Sequence, residues 1–195
     1  MDERLDIFTE DGCPSGTALR STAHRDGLWH QVVQCWVVSR EGPSVWLYFQ
    51  QRSAKKEDFP SLFDLAVGGH ISAGESPQTA AVREIREEIG LVLSPRQLEY
   101  LGDTREIIRF PDFYDREIAR VFYYESATLP FQLGEEVSRM IRVRLEDYLR
   151  WDRHQTDELW VYPLDGPPLL SGRNDWCIHE GVFEPLILPR ILKTC

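Results

Sequence analysis

Gly69-His70-Ile71-Ser72-Ala73-Gly74-Glu75-Ser76-Pro77-Gln78-Thr79-Ala80-Ala81-Val82-Arg83-Glu84-Ile85-Arg86-Glu87-Glu88-Ile89-Gly90-Leu91 is the stretch on which the reading of this chain turns. Glu84, Glu87 and Glu88 stand at i, i+3 and i+4, which on a helix puts them on one side, close enough to share divalent cations. Carboxylates this close repel each other unless something positive lies between them. A solvated face with ordinary salt bridges is the commoner outcome for an arbitrary helix with three acids. The helix itself is well marked: Ser76 suits its N-cap, Pro77 its first turn and Gly90 the left-handed residue that ends it. Ala81, Val82, Ile85 and Ile89 make an apolar stripe to bury, which puts the flanking acids at the edge of the core. Arg83 is one turn from Glu87 and can also reach back to Glu75.

The complete pattern decides between the two outcomes. Glycine, five residues, Glu, seven residues, Arg-Glu, an apolar residue, any residue, Glu-Glu, any residue, Gly and an apolar residue is the Nudix box, with no position departing from it. Its chance occurrence at a given starting point is on the order of one in a billion. The chain thus resembles the Nudix family. The resemblance implies an α/β/α sandwich around a mixed sheet, and Mg²⁺- or Mn²⁺-dependent hydrolysis of a diphosphate linked to another moiety. Carried over by position, Glu84, Glu87 and Glu88 match the metal-binding or base carboxylates, and the Gly69 carbonyl matches a further ligand. Arg83 and Glu75 match the pair that orients the glutamates.

A second resemblance is to the isopentenyl-diphosphate isomerase-like branch of that family. It rests on Ala23-His24 through Trp29-His30, Gln51-Arg52-Ser53-Ala54-Lys55-Lys56, Phe59-Pro60-Ser61-Leu62-Phe63 and Gly68-Gly69-His70. It implies a metal at His24, His30 and His70, and a diphosphate held by Arg52 and Lys55. The isomerases carry a catalytic Cys where this chain has Gly68, and no cysteine is near that position in the sequence. An isomerase-like scaffold performing hydrolysis is therefore expected. Partly buried, hydrogen-bonded histidines are the simpler account of His24 and His30, and His70, beside the box, suits a substrate contact.

Diphosphate hydrolysis needs neutralised phosphate oxygens and an activated water, and metal ions supply both. A carboxylate must also take the proton from that water. Besides the box glutamates, Glu135 and Glu136 are placed for this, just ahead of a strand-like run at 137–145, and Glu136 is also a metal candidate. Arg52, Lys55 and Lys56 can clamp phosphate or form a solvated basic loop. Arg105, Arg109, Arg116 and Arg120 are read mostly as surface charges. Two other functions stay open: an isoprenoid-diphosphate isomerase and a catalytically silent ligand-binding module.

The 195 residues are enough for one Nudix domain with a real core, and 42% hydrophobic and 11% aromatic content excludes a disordered chain. A net charge of −10 argues against a broad nucleic-acid face but not against small phosphorylated substrates. The absence of a long apolar run predicts no membrane span, and the acidic N-terminus is not a signal peptide. Four scattered cysteines suggest reduced thiols and a cytoplasmic location. Strands are expected at 5–9, 28–39, 45–51, 62–67, 98–110 and 117–125, with turns at Asp11-Gly12 and 40–44 and a loop at 111–115. A short helix is expected at 17–23 and another at 145–151. The last forty residues, rich in aromatics and prolines, are read as an extension from about 150 that packs on the domain, closes over the substrate or forms a homodimer interface.

Overall fold

The structure, a computed structural model, describes residues 2–110 and 113–193. In chain order its elements begin with β1 (Arg4–Phe8), β2 (Pro14–Leu19), α1 (Arg20–Asp26), β3 (Trp29–Glu41), β4 (Ser44–Arg52), β5 (Phe63–Leu65) and β6 (Val67–His70). There follow α2 (Pro77–Ile89), β7 (Glu99–Phe110), β8 (Phe113–Glu125), β9 (Val137–Arg144) and α3 (Leu145–Asp152). The C-terminal segment adds β10 (Glu158–Pro163), β11 (Leu169–Gly172), a π-helical turn at Phe183–Ile187 and α4 (Leu188–Leu192).

β3 organises the sheet. It runs parallel to β8 from Trp29↔Arg116 to Val38↔Glu125. On its other edge it pairs antiparallel with β6 through Val32–Cys35 and with β4 through Val37–Glu41. The sheet therefore forks at the middle of β3, and Gly68, Gly69 and His70 lie on the short branch. β9 and β10 extend the sheet beyond β4, β5 pairs with β4, β1 and β2 extend it beyond β3, and β7 pairs with β8.

Successive side chains of a strand point to opposite faces, and here both faces are covered. Val33, Cys35 and Val37 of β3 pack with Ala80, Ala81, Ile85 and Ile89 of α2. Trp36 and Val38 pack with Tyr148 and Trp151 of α3 and with Trp176, Phe183, Ile187 and Ile191. The result is an α/β/α sandwich around a mixed sheet. Removing Ile85 and Ile89 from water stabilises the docking of α2 by roughly 1.5–3 kcal/mol each.

The helix signals in α2 act as their chemistry requires. Ser76 Oγ accepts the Thr79 N–H at 3.2 Å, and Gly90 ends the helix at φ 73°. A Cβ at Gly90 would lie 2.3 Å from the Gln132 carbonyl oxygen, so glycine is needed there for space as well as for backbone angle.

Three boundaries differ from expectation. The helix expected at 17–23 begins at Arg20, because Thr17 and Ala18 pair with Asp6 and Leu5 in the β1–β2 ladder. The extended run at 62–67 is two short strands with different partners, one on each branch of the fork. Of the expected loop at 111–115, Pro111 and Asp112 lie outside the described residues, and from Phe113 onward the chain is in β8. No helix of the described residues is long and apolar enough to cross a membrane.

Candidate active site

α2 lays its carboxylates along a cleft of about 510 Å³ whose lining includes Gly69, His70, Arg83, Glu84 and Glu87. Arg83 organises this wall. Its Nη1 donates to Glu84 Oε1 at 2.6 Å and to Glu87 Oε2 at 3.2 Å. Its Nε and Nη2 make a two-pronged bond to Glu75 at 3.1 and 2.9 Å, and Nη2 also donates to the His70 carbonyl at 3.0 Å. A planar guanidinium is suited to such shared bridging, and the Glu75 bond is the main reason its pKa is raised.

Glu88 lies behind this wall, 4% exposed, where Oε2 accepts from Gln50 Nε2 at 3.0 Å and from the Gly68 N–H at 3.1 Å. Burial pushes its carboxyl up to about 8, and the neighbouring Glu84 adds to the shift. Burial likewise pushes Glu84 up to about 7, against the pull of Arg83. The donors here are all carboxylate or carbonyl oxygens, which suits hard cations such as Mg²⁺ or Mn²⁺. A cation held there would offset the cost of keeping two buried acids ionised. Gly69 permits this approach: a Cβ on it would lie 2.3 Å from Glu84 Cδ.

The cleft also has a basic wall, made of Arg20, Arg52 and Lys56. Arg52 Nη1 donates to Asp64 Oδ2 at 2.9 Å and Nη2 to the Asp58 carbonyl at 2.9 Å, which fixes the head of the side chain at the cleft. Lys56 pairs with Glu136, whose carboxyl it lowers, and Glu136 also lines the cleft. Lys55 is exposed and does not contribute to the lining, so the structure brings Arg52 together with Lys56 and Arg20. Glu135 is also exposed and outside the lining, as are Arg105 and Arg109, and the half-buried Arg116 and Arg120 lie outside the lining too. Arg105 and Arg116 lie over the Trp29 ring, and Arg120 pairs with Asp103.

His24, His30 and His70 converge. Their ring centroids are 5.1–5.2 Å apart, and the Nε2 atoms of His24 and His70 are separated by 3.1 Å. Two acids that carry no signal in the sequence join them from the neighbouring strand β8. Asp115 Oδ1 is 3.4 Å from His30 Nε2, and Glu117 completes a second potential donor group with His30 and Asp115. His30 Nε2 and Asp115 Oδ1 are buried without a hydrogen-bond partner. Burial, with Asp115 and Glu106 adding to it, pushes the Glu117 carboxyl well up. The three imidazoles form one donor group and His30, Asp115 and Glu117 another, each with its ligand atoms within 4.8 Å of one another, and either fits a transition-metal ion. Burial also drives the His70 imidazole well below its usual range, toward the neutral form that ligates.

The C-terminal segment adds Trp176, Cys177, Ile178 and His179 to the lining. The expectation that no cysteine approaches Gly68 holds along the chain but not in space, because Cys177 and Gly68 line the same cleft. Burial raises the Cys177 thiol, so it stays protonated. Nothing in the sequence around Arg20, Asp115, Glu117 or His179 marked these residues; each reaches the cleft through tertiary pairing.

Comparison with known proteins agrees with this architecture. The chain is 34% identical, over 166 residues, to an uncharacterised Nudix hydrolase of Clostridium acetobutylicum, covering 82% of this chain and 79% of that one. It is 30% identical, over 121 residues, to an isopentenyl-diphosphate Delta-isomerase of Escherichia coli, covering 62% of this chain and 65% of the isomerase. A crystal structure of a Deinococcus radiodurans protein superimposes with a TM-score of 0.53 at 28% identity, over 70% of this chain and 80% of the other. Residues 28–162 match the model of the NUDIX domain, and the chain belongs to the Nudix hydrolase family.

Proposed function

We propose that this protein hydrolyses a diphosphate linkage, in a nucleoside di- or triphosphate or in another X-linked diphosphate, with Mg²⁺ or Mn²⁺ as cofactor. The observation that carries the reading is one cleft lined by both Glu84 and Glu87 of α2 and a cluster of cationic side chains. A divalent cation bound there would supply neutralisation of phosphate charge and a water of lowered pKa. Glu84, Glu87, Glu88 and the Gly69 carbonyl are the groups that would hold it, with Glu136 as a further ligand. Arg83, itself held by Glu75, orients Glu84 and Glu87. Arg20, Arg52 and Lys56 bind the phosphate oxygens by charge-assisted hydrogen bonds, and His70 reaches the substrate or joins the histidine cluster. One of the box carboxylates, or Glu136, accepts the proton of the attacking water. The substrate is a small phosphorylated molecule; neither nucleic acid nor a membrane takes part, and we place the reaction in the cytoplasm. We read residues 1–195 as one Nudix domain whose C-terminal part, from about 150, packs on it.

The test is cleavage of the diphosphate linkage, read as phosphomonoester, pyrophosphate or phosphate product, over a panel of diphosphates with and without chelator, on wild type, Glu87→Gln and Glu88→Gln. Metal-dependent turnover that both variants lose by a factor of about a hundred or more is expected. Full activity in excess chelator refutes the reading. A second reading, isomerisation of an isoprenoid diphosphate, is favoured by Cys177 lining the cleft. Product analysis of the same incubations separates the two, since hydrolysis splits the diphosphate linkage whereas isomerisation leaves it intact.

A further inference from the structure

Trp176, Cys177, Ile178 and His179 line the substrate cleft and also a second cavity of about 410 Å³ that abuts Tyr148, Trp151 and Asp152 of α3. Trp176 is packed against Phe49, Phe63 and Trp151, but residues 177–179, with open volume on two sides, depend on discrete anchors rather than on close packing. At one end, Trp176 Nε1 donates to Ser171 Oγ at 3.0 Å and the Cys177 N–H to the Phe63 carbonyl at 2.8 Å. At the other end is His179. Its Nε2 is 2.9 Å from Asp64 Oδ1, and its Nδ1 is 2.8 Å from Glu106 Oε2. Gln34 Nε2 lies 3.2 Å from Nδ1 and donates to Glu106 Oε1 at 2.9 Å. With both carboxylates ionised, both ring nitrogens must carry a proton for the contacts to Asp64 and Glu106 to be hydrogen bonds. Burial opposes this charge, but Glu106 and Asp64 outweigh it. Asp64 gives its second oxygen to Arg52. A continuous polar chain thus runs from the C-terminal segment through Asp64 to the cationic wall of the cleft.

We propose that His179 is a positioning residue. Its imidazolium, bridging Asp64 on β5 and Glu106 on β7, fixes residues 176–179 as a wall of the substrate cleft and holds Asp64 where it aims Arg52 at the phosphates. Ile178, 47% exposed and part of the cleft lining, is then the side chain presented to the substrate beyond its phosphates, and it selects an apolar or flat surface there. This rests on the reading of the cleft as a diphosphate site.

The experiment compares wild type, His179→Gln, His179→Gly, Glu106→Gln and Ile178→Ala. Kinetics are measured on the best diphosphate of the panel, and hydrogen exchange is measured without substrate. His179→Gln is expected to raise KM about tenfold with kcat within a few-fold, and Glu106→Gln to do so by a smaller factor. Added imidazole should restore the KM of His179→Gly by refilling the bridge. Exchange of amides in 176–181 should rise about tenfold in His179→Gln, with the α2 amides unchanged. Ile178→Ala should reorder substrates that differ beyond the phosphates and leave exchange at the wild-type level. Wild-type KM and wild-type exchange in His179→Gln overturn the proposal, and so does a raised KM that imidazole leaves unaltered in His179→Gly. A wild type inert toward every diphosphate sinks the hydrolase reading instead, and the exchange data then decide the bridge by themselves.

Discussion

A methyl group at position 69 would collide with the most exacting contact in the site. Built on the Gly69 backbone, it lies 2.3 Å from Glu84 Cδ and 2.5 and 2.7 Å from the two carboxylate oxygens. Carbon atoms in contact sit at roughly 3.5–4.0 Å, so in Gly69→Ala the Glu84 carboxylate must retreat by more than about 1 Å. The obstacle is the end of a flexible side chain and not backbone, so the fold can absorb the change. The 2.6 Å bond from Arg83 Nη1 to Glu84 Oε1 cannot survive such a shift in its present geometry. A displacement of about 1 Å in a catalytic constellation costs on the order of a hundredfold in rate. Gly69→Ala is therefore expected to lose about two decades of kcat/KM and to weaken Mn²⁺ binding, with its metal-free melting temperature within a few degrees of wild type. Steady-state kinetics of diphosphate cleavage, Mn²⁺ titration by electron paramagnetic resonance and calorimetry in chelator measure the three quantities. A variant that keeps wild-type turnover and Mn²⁺ affinity would show that neither Glu84 nor the Gly69 backbone belongs to the metal site.

Two further outcomes are expected. In chelator, Glu84 and Glu88 titrate near 7 and 8 in the folded chain, against 4.5 for an ordinary Glu. The folded state then binds more protons between about pH 4.5 and 8, so stability falls as pH rises through that window, by at most about 8 kcal/mol, since the two rises together span about 6 pH units at about 1.4 kcal/mol each. Urea midpoints at pH 5 and pH 8, with chelator and with Mg²⁺, check this; Mg²⁺ should flatten the slope, and a chelated protein equally stable at both values contradicts it. In the cationic wall, Lys56→Ala should raise KM about tenfold while Lys55→Ala stays near wild type, since only Lys56 lines the cleft. The reverse order, found in steady-state kinetics, would return the phosphate clamp to Lys55.

The parts of the molecule that were legible beforehand are those fixed by neighbours in sequence. α2 carries its cap, its apolar stripe, its ion-pairing Arg83 and its terminal glycine within fifteen positions, and each acts locally. The β3–β4 hairpin is similar: two apolar runs flank a short turn. The β2–α1 boundary was misread because Thr17 and Ala18 are claimed by β1, and a tertiary ladder overrides local preference. Lys55 and Lys56 look alike in the sequence, and only the backbone turn at Ser53–Lys56 separates them, leaving Lys55 exposed and Lys56 at the cleft. Asp115, Glu117 and His179 were invisible for a deeper reason. An isolated acid or histidine acquires its role from whatever residue lies opposite, and parallel pairing or a returning tail leaves no periodic trace of that.

The parallel alignment of β3 with β8 has a consequence for the time course of assembly. His30 faces Glu117 in that ladder, with every element from β4 to β7 intervening along the chain. Closing so long a loop is slow compared with winding α2, whose contacts are local. The box helix should therefore gain shape early in refolding, while the histidine–carboxylate cluster comes together only when β8 docks. A cobalt ion offered during refolding would report that docking by its absorption, as a late signal lagging the far-ultraviolet helix band, and the interval between the two would time the closure of the central sheet.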